Sequence, residues 1–513
     1  MLQPQDQIEK IIGGFESYQQ CLVMFVSVMN FFVAYHQLGI IYIAPKIKYT
    51  CGNNTQTDIA VCPCKNPVYD HTRFRESIVD HWNMICRRKL IISLTQALIQ
   101  AGVFIGRIGF SFSLQRFGPK NILIVCVILQ KILSSSIPFV KSLPLFLSLR
   151  FLLGSFIGGA LVSGFAFITE FVGREYMDIA FVLYQIPYIL GYILLTMFGY
   201  CLRNYRAFLF YTTLSEIVLG LYWFLPPTPR WLISRRKLST AAEVLTAITI
   251  TNSLSAEHIQ QTVNNYTLQK QSISQTKQNY KLMLYNPGIR KCIFMMSLMW
   301  FSSSYCFFGL AQYISQIDGD IFRNVSIAAT ACLPGTLLAL ILLRKISRKV
   351  MCVILNLITI SCLAAMAFMP DLTVALVASI LVVVSNFMLR IILFVYCYEM
   401  FPMILTTEAL QFTWAMAGLG AITAPFVISA RILEKWLMPV IFFIPPSLAC
   451  AISFVLPETK GLKPLKTIEE AERFIRHPNF RNESSALAVY TATIKYLKNV
   501  PRSRQASVFL KRK

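Results

Sequence analysis

The chain has 513 residues, of which 55% are hydrophobic and only 14% are charged, and its formal net charge is +24. Because soluble domains average about 25% charged residues, this composition excludes an ordinary soluble domain and indicates a polytopic membrane protein. The positive charge lies mainly in segments between apolar runs, which is typical of membrane topology, so we predict no nucleic-acid partner.

Apolar runs of about 20 residues recur along the chain, and a helix of that length crosses a hydrocarbon core of ~30 Å. The first twenty residues are polar and the first run is long enough to span, so we expect no cleavable signal peptide. The pattern predicts an all-α protein with twelve transmembrane helices. The runs lie at 21–43, 91–110, 121–140, 144–168, 178–201, 207–225, 292–312, 324–343, 350–369, 372–398, 411–430 and 436–456.

Lysine and arginine are concentrated in alternate connecting segments. Segment 228–291 carries nine basic residues against two acids, and the tail from 457 carries thirteen against five. Segments 106–120 and 344–349 are basic and contain no acid. All four lie on one side of the membrane if the N-terminus is cytoplasmic, and cytoplasmic segments are the ones that accumulate Lys and Arg. We therefore predict cytoplasmic termini.

The longest connection on the opposite side, residues 44–90, is predicted to be an extracellular disulfide-tied loop. Four cysteines in so short an extracellular segment favour disulfides, with all three connectivities open, over a zinc site, whose usual ligand spacing is missing. The sequon at Asn53 predicts a glycan, and we predict no metal. The loop cysteines are Cys51, Cys62, Cys64 and Cys86.

Two similar stretches end the sixth and twelfth runs. Leu225-Pro226-Pro227-Thr228 and Leu456-Pro457-Glu458-Thr459 both stop a helix with proline and lead into basic sequence. The similarity of these two stretches, after the sixth and the twelfth run, predicts two sets of six helices. The predicted units are an N-terminus at 1–20, a first bundle at 21–225, a cytoplasmic linker at 226–291, a second bundle at 292–456 and a basic tail at 457–513.

Several motifs together resemble one known family. They are "SIVDHWNMIC" at 77–86, "LRFLLG" at 149–154, "ITEFVG" at 168–173, "PPTPRWL" at 226–232, "YEMFP" at 398–402 and "PETKG" at 457–461. In this layout the chain resembles the organic cation, anion and zwitterion transporters of the major facilitator superfamily. The resemblance implies two six-helix bundles, a plasma-membrane location and alternating-access transport of organic ions, secondary-active or facilitative, without enzyme activity or cofactor.

The chain departs from this family at its gating motifs. Gln115 stands at the usual aspartate, Pro119 at an arginine, Arg344 at a second aspartate and Thr406 at another arginine. These departures motivate an alternative function, a transport-incompetent relative that acts as a receptor or scaffold. The predicted gating and intramembrane charges are Arg116, Arg150, Glu170, Glu216, Arg348 and Glu399.

The charge that sets substrate sign in relatives is also missing, because Gly418 and Cys332 occupy the positions concerned. Aromatic residues remain, and aromatic walls suit ligands with a bulky apolar body. The residues predicted to line a substrate cavity are Tyr184, Gln185, Tyr188, Trp300, Phe307, Arg390 and Gly418.

Four ionisable residues are predicted inside spans, namely Lys131, Arg150, Glu216 and Arg390, and such residues are candidates for function. Arg390 lies nine residues before Glu399, roughly 13 Å inward. It either binds a substrate carboxylate, pairs with Glu216 or extends towards the headgroups. The substrate role predicts a preference for organic anions or zwitterions, and partial restoration of uptake by Gly418→Arg in the Arg390→Gln background.

Overall fold

Among the residues that the structure describes, twelve helices are long and apolar enough to cross a membrane, which confirms the predicted all-α architecture. The structure is a computed structural model that describes residues 12, 14–51, 62, 64, 66–252, 259, 263, 283, 285–369, 371–402, 405–429, 436–461, 465 and 467–476. The helices are α1 Ser17–Ile43, α2 Cys86–Phe117, α3 Pro119–Phe139, α4 Leu143–Phe171, α5 Arg174–Leu202, α6 Tyr205–Phe224, α7 Pro287–Ile314, α8 Ile321–Lys345, α9 Arg348–Phe368, α10 Leu372–Met400, α11 Thr406–Ser429 and α12 Leu437–Val455.

The second helix is much longer than the predicted run at 91–110. It ends at Gly118, whose φ of 85° favours glycine, and Pro119 then begins α3 with the fixed φ that suits a first helical residue. The basic segment at 106–120 is therefore mostly helical. Arg107 lies inside α2, and it also lies inside the predicted run 91–110, so the list of four ionisable residues within spans was incomplete.

Glycines set the close packing of α2 against α4. A Cβ on Gly102 would lie 2.1 Å from the Phe151 carbonyl oxygen, and one on Gly106 would lie 2.0 Å from the Ser155 oxygen. Gly154 and Gly158 meet the backbone of α2 in the same way, at 2.1 and 2.4 Å. Two glycines four residues apart on each helix allow the backbones to touch, as in other tightly packed membrane helices.

The segment between α1 and α2 defines one face of the molecule, which we call the loop side. Strands β1 Tyr49–Cys51 and β2 Pro67–Tyr69 pair antiparallel there. The structure joins Cys51 to Cys64 and Cys62 to Cys86, one of the three connectivities that the sequence left open. The predicted glycan site Asn53 lies outside the described residues.

The opposite face carries the connection between α6 and α7, and we call it the linker side. Short helices Pro229–Ser234 and Leu238–Thr251 follow α6. A carboxylate caps a helix start in each half: Glu170 accepts the Trp231 N–H at 3.1 Å, and Glu458 accepts the N–H groups of Arg348 and Lys349. Burial raises the pKa of Glu458, but these N–H donors outweigh it, so its pKa lies below the ordinary value.

Glu216 pairs with His36, so a pair with Glu216, one of the three roles considered for Arg390, does not form. Its carboxylate contacts the His36 ring and accepts a hydrogen bond from Ser134 at 3.1 Å. Lys131 donates to the Thr213 carbonyl on the neighbouring turn of α6. These buried charges and polar groups therefore join α1, α3 and α6 inside the first bundle.

Candidate functional site

A small cavity lies at the centre of the molecule, where helices of the two halves meet. Its volume is about 40 Å³, on the order of three water molecules. Its walls come from α1, α2, α4 and α5 of the first half and from α7, α10 and α11 of the second. The polar lining residues are Asn30, Gln37, Gln100, Gln185 and Ser304; the aromatic ones are Tyr188, Trp300, Phe308, Phe394 and Trp414.

Two arginines from opposite halves also line this cavity. Arg107 donates to the Trp414 carbonyl at 3.0 Å, and its guanidinium carbon lies 4.1 Å from the centroid of the Trp414 ring. Arg390 donates to Ser304 at 2.9 Å and lies 4.4 Å from the Phe307 ring centroid. Such stacking favours a cation electrostatically. The cavity is therefore positively charged.

The predicted cavity residues separate into two groups. Gln185, Tyr188, Trp300, Arg390 and Gly418 line the cavity directly. Tyr184 and Phe307 lie behind it: the Tyr184 hydroxyl donates to the Leu161 carbonyl, and the Phe307 ring supports the Arg390 guanidinium. Tyr184 and Tyr188 were both predicted to line the cavity, but only Tyr188, whose hydroxyl donates to Gln37, reaches it.

Gly418 leaves no room for the predicted rescue by arginine. A Cβ at this position would lie 2.8 Å from the Cβ of Phe104 on α2. The missing side chain thus allows α2 and α11 to approach each other. Gly418→Arg would force these helices apart, so it would not restore uptake as predicted from the sequence.

No carboxylate lines the cavity within the part of the chain that the structure describes. Neither Arg107 nor Arg390 forms an ion pair with a described acid. Cys332, at the position where relatives place an acid, is buried on α8 and also does not line the cavity. The two guanidinium charges are therefore uncompensated by nearby protein charge. Among the described residues there is also no cluster of His, Cys, Asp and Glu that would hold a metal ion.

Contacts between the halves close the loop side. Lys46 bonds to Asp318 at 2.7 Å, and Arg73 donates to the Gly319 carbonyl at the same distance. Phe322 stacks on Tyr42 with ring centroids 5.9 Å apart. These contacts connect the cysteine loop and α1 to the start of α8, so the two halves touch each other on the loop side.

Contacts between α2 and α11 close the linker side. Beyond Arg107, Ser111 bonds to Gln411, and Gln115 donates to Glu408 at 3.1 Å. Gln115 occupies the usual aspartate position, so a neutral amide replaces a charged group in a contact between the halves. Glu408 was not among the predicted gating charges, because it lies outside the motifs that carry those charges in the family.

The predicted gating charges do not form one group. Arg348 binds Glu399 through two hydrogen bonds of 3.2 and 2.9 Å, and Thr459 donates to the same carboxylate at 2.6 Å. Arg116 is exposed and lies over the ring of its neighbour Phe117. Arg150 is buried in α4 away from the cavity lining. Of the predicted gating charges, Arg348 and Glu399 thus form an ion pair in the second half.

The family model described as "Major Facilitator Superfamily" matches residues 88–425, about two thirds of the chain. The chain belongs to the major facilitator superfamily. Mouse solute carrier family 22 member 2 is 27% identical over 431 residues, which cover 82% of this chain and 76% of that protein. Mouse solute carrier family 22 member 12 is 24% identical over 440 residues, with coverage of 84% and 79%. The family relationship predicted from the motifs is confirmed, and the chain is a divergent member.

Solved structures of the superfamily share the fold. The proton:xylose symporter XylE bound to 6-bromo-6-deoxy-D-glucose matches with a TM-score of 0.65 and 17% identity, covering 89% of this chain and 99% of that one. The inward open conformation of XylE from E. coli matches with a TM-score of 0.62 and 16% identity, covering 89% and 100%. These matches confirm the predicted two-bundle major facilitator fold.

Proposed function

We propose that the chain carries organic ions across a membrane by alternating access, as a secondary-active or facilitative transporter. Its relatives are solute carriers and its structural neighbours include a symporter, which supports transport and favours neither enzyme activity nor the alternative receptor or scaffold function. The observation that carries the proposal is a central cavity walled by both halves, with separate sets of contacts closing each face.

The substrate is an organic anion, bound through Arg390. This residue lines the cavity, lies beside aromatic walls and has no described acid as partner. A planar guanidinium remains charged when desolvated and binds carboxylates through two parallel hydrogen bonds, which suits this position. Zwitterions that offer a carboxylate are the related substrate class.

Sidedness and location complete the proposal. The linker side and both termini face the cytoplasm, as the distribution of Lys and Arg indicates, and the loop side faces the exterior of a plasma membrane. Asn53 then carries a glycan. Asn53→Gln should remove most of the glycosidase-sensitive mobility shift, and a full shift in this variant would contradict the assignment.

Uptake into proteoliposomes tests the transport function. Purified protein is presented with a mixed set of organic anions, organic cations and carnitine-like zwitterions, and protein-free liposomes serve as the control. The proposal predicts time-dependent, saturable uptake of anions. Saturable binding in detergent without uptake of any of the three classes would instead identify a transport-incompetent binding protein.

The aromatic walls favour one other substrate class, because aromatic faces attract cations. In that case wild-type protein takes up a permanent organic cation, and Arg390→Gln leaves this uptake unchanged. Anion uptake that disappears in Arg390→Gln, with equal protein in the liposomes, supports the anion class and contradicts the cation class.

A further inference from the structure

Two positive charges, not one, face the central cavity, and they come from different halves of the molecule. Arg390 was a candidate from the sequence, whereas Arg107 was identified only from the structure. We propose that the cavity binds organic dianions, with Arg107 and Arg390 each holding one negatively charged group. This inference rests on the proposed function, because it names the substrate class of the same cavity.

Both guanidinium groups retain unused hydrogen-bond donors. Arg107 uses Nη1 on the Trp414 carbonyl and Arg390 uses Nη2 on Ser304, while the Nε of each has no partner among the described residues. Gln100 Nε2, on the same cavity wall, also has none. Buried donors are normally paired, so this cavity requires acceptors from water or from a ligand. Charged donors bind anionic oxygens most strongly.

Charge balance favours a ligand with two negative groups. Arg107 is 7% exposed, and no described carboxylate lines the space that it shares with Arg390. Two buried like charges repel each other, and each is costly to bury without a counter-ion. A monoanion would neutralise only one of them. A dianion neutralises both and, by contacting both halves, also holds them together.

Aromatic side chains position both guanidinium groups and shape the rest of the ligand. The Arg107 guanidinium lies over the Trp414 ring, and that of Arg390 lies over Phe307. Stacking uses the flat face of a guanidinium and leaves its edge N–H groups for a carboxylate in the same plane. Tyr188 and Trp300 complete the wall, so the ligand body between the two charges is apolar or aromatic.

Arg107 also separates the central cavity from a second space towards the linker side. That space has a volume of about 190 Å³ and is lined by Arg107 together with Ile108, Phe112 and Phe412, among others. A cavity of about 40 Å³ is too small for an aromatic dianion. Because Arg107 lines both spaces, the position of its side chain affects the room available to a ligand.

Binding of matched ligands to the purified full-length protein in detergent tests the inference. Benzoate and isophthalate share one ring and differ by a second carboxylate. Isothermal titration should show that isophthalate binds at least about tenfold more tightly, since each charge-assisted bond to a buried partner contributes at least that factor. In 3-(aminomethyl)benzoate an ammonium replaces the second carboxylate, and this zwitterion should bind more weakly than benzoate.

Variants test whether Arg107 is responsible for the preference for isophthalate over benzoate. Arg107→Gln should reduce the isophthalate-to-benzoate affinity ratio to about one, and Arg107→Lys should give an intermediate ratio, since it keeps the charge but loses the planar group. Lys131→Gln removes another intramembrane cation that does not line the cavity, and its ratio should equal that of wild type. Thermal unfolding checks that each variant is folded.

Equal affinity of wild type for benzoate and isophthalate would overturn the inference, as would tighter binding of the zwitterion than of benzoate. Both tests use wild-type protein, so they hold even if Arg107→Gln does not fold. A wild-type ratio in folded Arg107→Gln would also overturn it. If benzoate is taken up but isophthalate binds no more tightly, the transport function is supported and the dianion inference is wrong. If isophthalate binds more tightly but nothing is taken up, the two-arginine site is supported and the transport function is wrong.

Discussion

Arginine and glutamate inside the membrane were correctly singled out from the sequence as unusual, but their partners were not. Arg390 and Glu216 are both single charges in apolar runs, and pairing them was a reasonable expectation on charge alone. They belong to different halves, and the partner of Glu216 is His36, which was not among the candidate charges. Sequence spacing gives depth in the membrane and carries no information on which helices become neighbours.

Removing the Glu216 carboxylate should destabilise the first bundle. Glu216→Ala leaves His36 and Ser134 without their partner in a buried position, and losing one member of a buried pair typically costs about 3–5 kcal/mol. Glu216→Gln keeps a hydrogen-bond acceptor and should lose less. Thermal unfolding in detergent measures both variants, and Glu175→Ala, at an exposed position in the first turn of α5, is the matched control. A Glu216→Ala melting temperature equal to that of the control would contradict this account.

Twelve helices were predicted correctly because the length of an apolar run is itself the signal. Their ends were predicted less well where polar residues continue a helix, as they do in α2 from 111 to Phe117. The close packing of α2 on α4 was also not predicted. Gly102 and Gly106 appear in the sequence as ordinary spaced glycines, and only the facing Gly154 and Gly158 show that their purpose is contact between backbones.

A side chain at Gly106 should disrupt the crossing of α2 and α4. Gly106→Val brings a Cβ to 2.0 Å from the Ser155 carbonyl oxygen, a distance that only movement of the helices relieves. Overpacking of this kind typically costs about 1–3 kcal/mol or more. Gly109, three residues further along the same helix, has no atom within 4 Å of its hypothetical Cβ.

Thermal unfolding of the two glycine variants measures this effect. Gly109→Ala should melt within a few degrees of wild type, whereas Gly106→Val should melt clearly lower and reduce the yield of folded protein. Equal stability of the two variants would show that the α2–α4 packing tolerates a side chain at residue 106, contrary to the geometry.

At the scale of the whole molecule, the two halves contact each other on both sides of the cavity, and each contact involves a single pair of residues. The gating motifs of the chain lack several of the charges that the family carries, for example at Gln115 and Thr406. The structure instead has a hydrogen bond between Gln115 and Glu408 at that place, together with the Arg348–Glu399 pair in the second half. Motif comparison detects a missing partner readily. It does not detect a substitute such as Glu408, because a new contact depends on the distance between two helices.

Replacing the hydrogen bond between Gln115 and Glu408 by a charge repulsion should open the linker side. Gln115→Asp places a carboxylate beside Glu408, and like charges at this distance repel each other, which favours the state in which the halves separate there. A thiol reagent added from the linker side labels Ile108→Cys faster when that side opens. The Gln115→Asp variant without the added cysteine measures the background labelling of the native cysteines. We expect faster labelling in Gln115→Asp than with Gln115 intact. Unchanged labelling would contradict a gating role for this contact.

Uptake of a radiolabelled aromatic anion by proteoliposomes, compared among wild type, Arg390→Gln and Arg390→Lys, tests the central claim most directly. The claim is that organic anions cross through the central cavity by binding Arg390. Wild type should take up benzoate in a saturable manner, Arg390→Lys should transport it more slowly because it loses the planar group, and Arg390→Gln should be at the level of empty liposomes. Benzoate uptake by Arg390→Gln equal to that of wild type, with equal reconstituted protein, would contradict the claim.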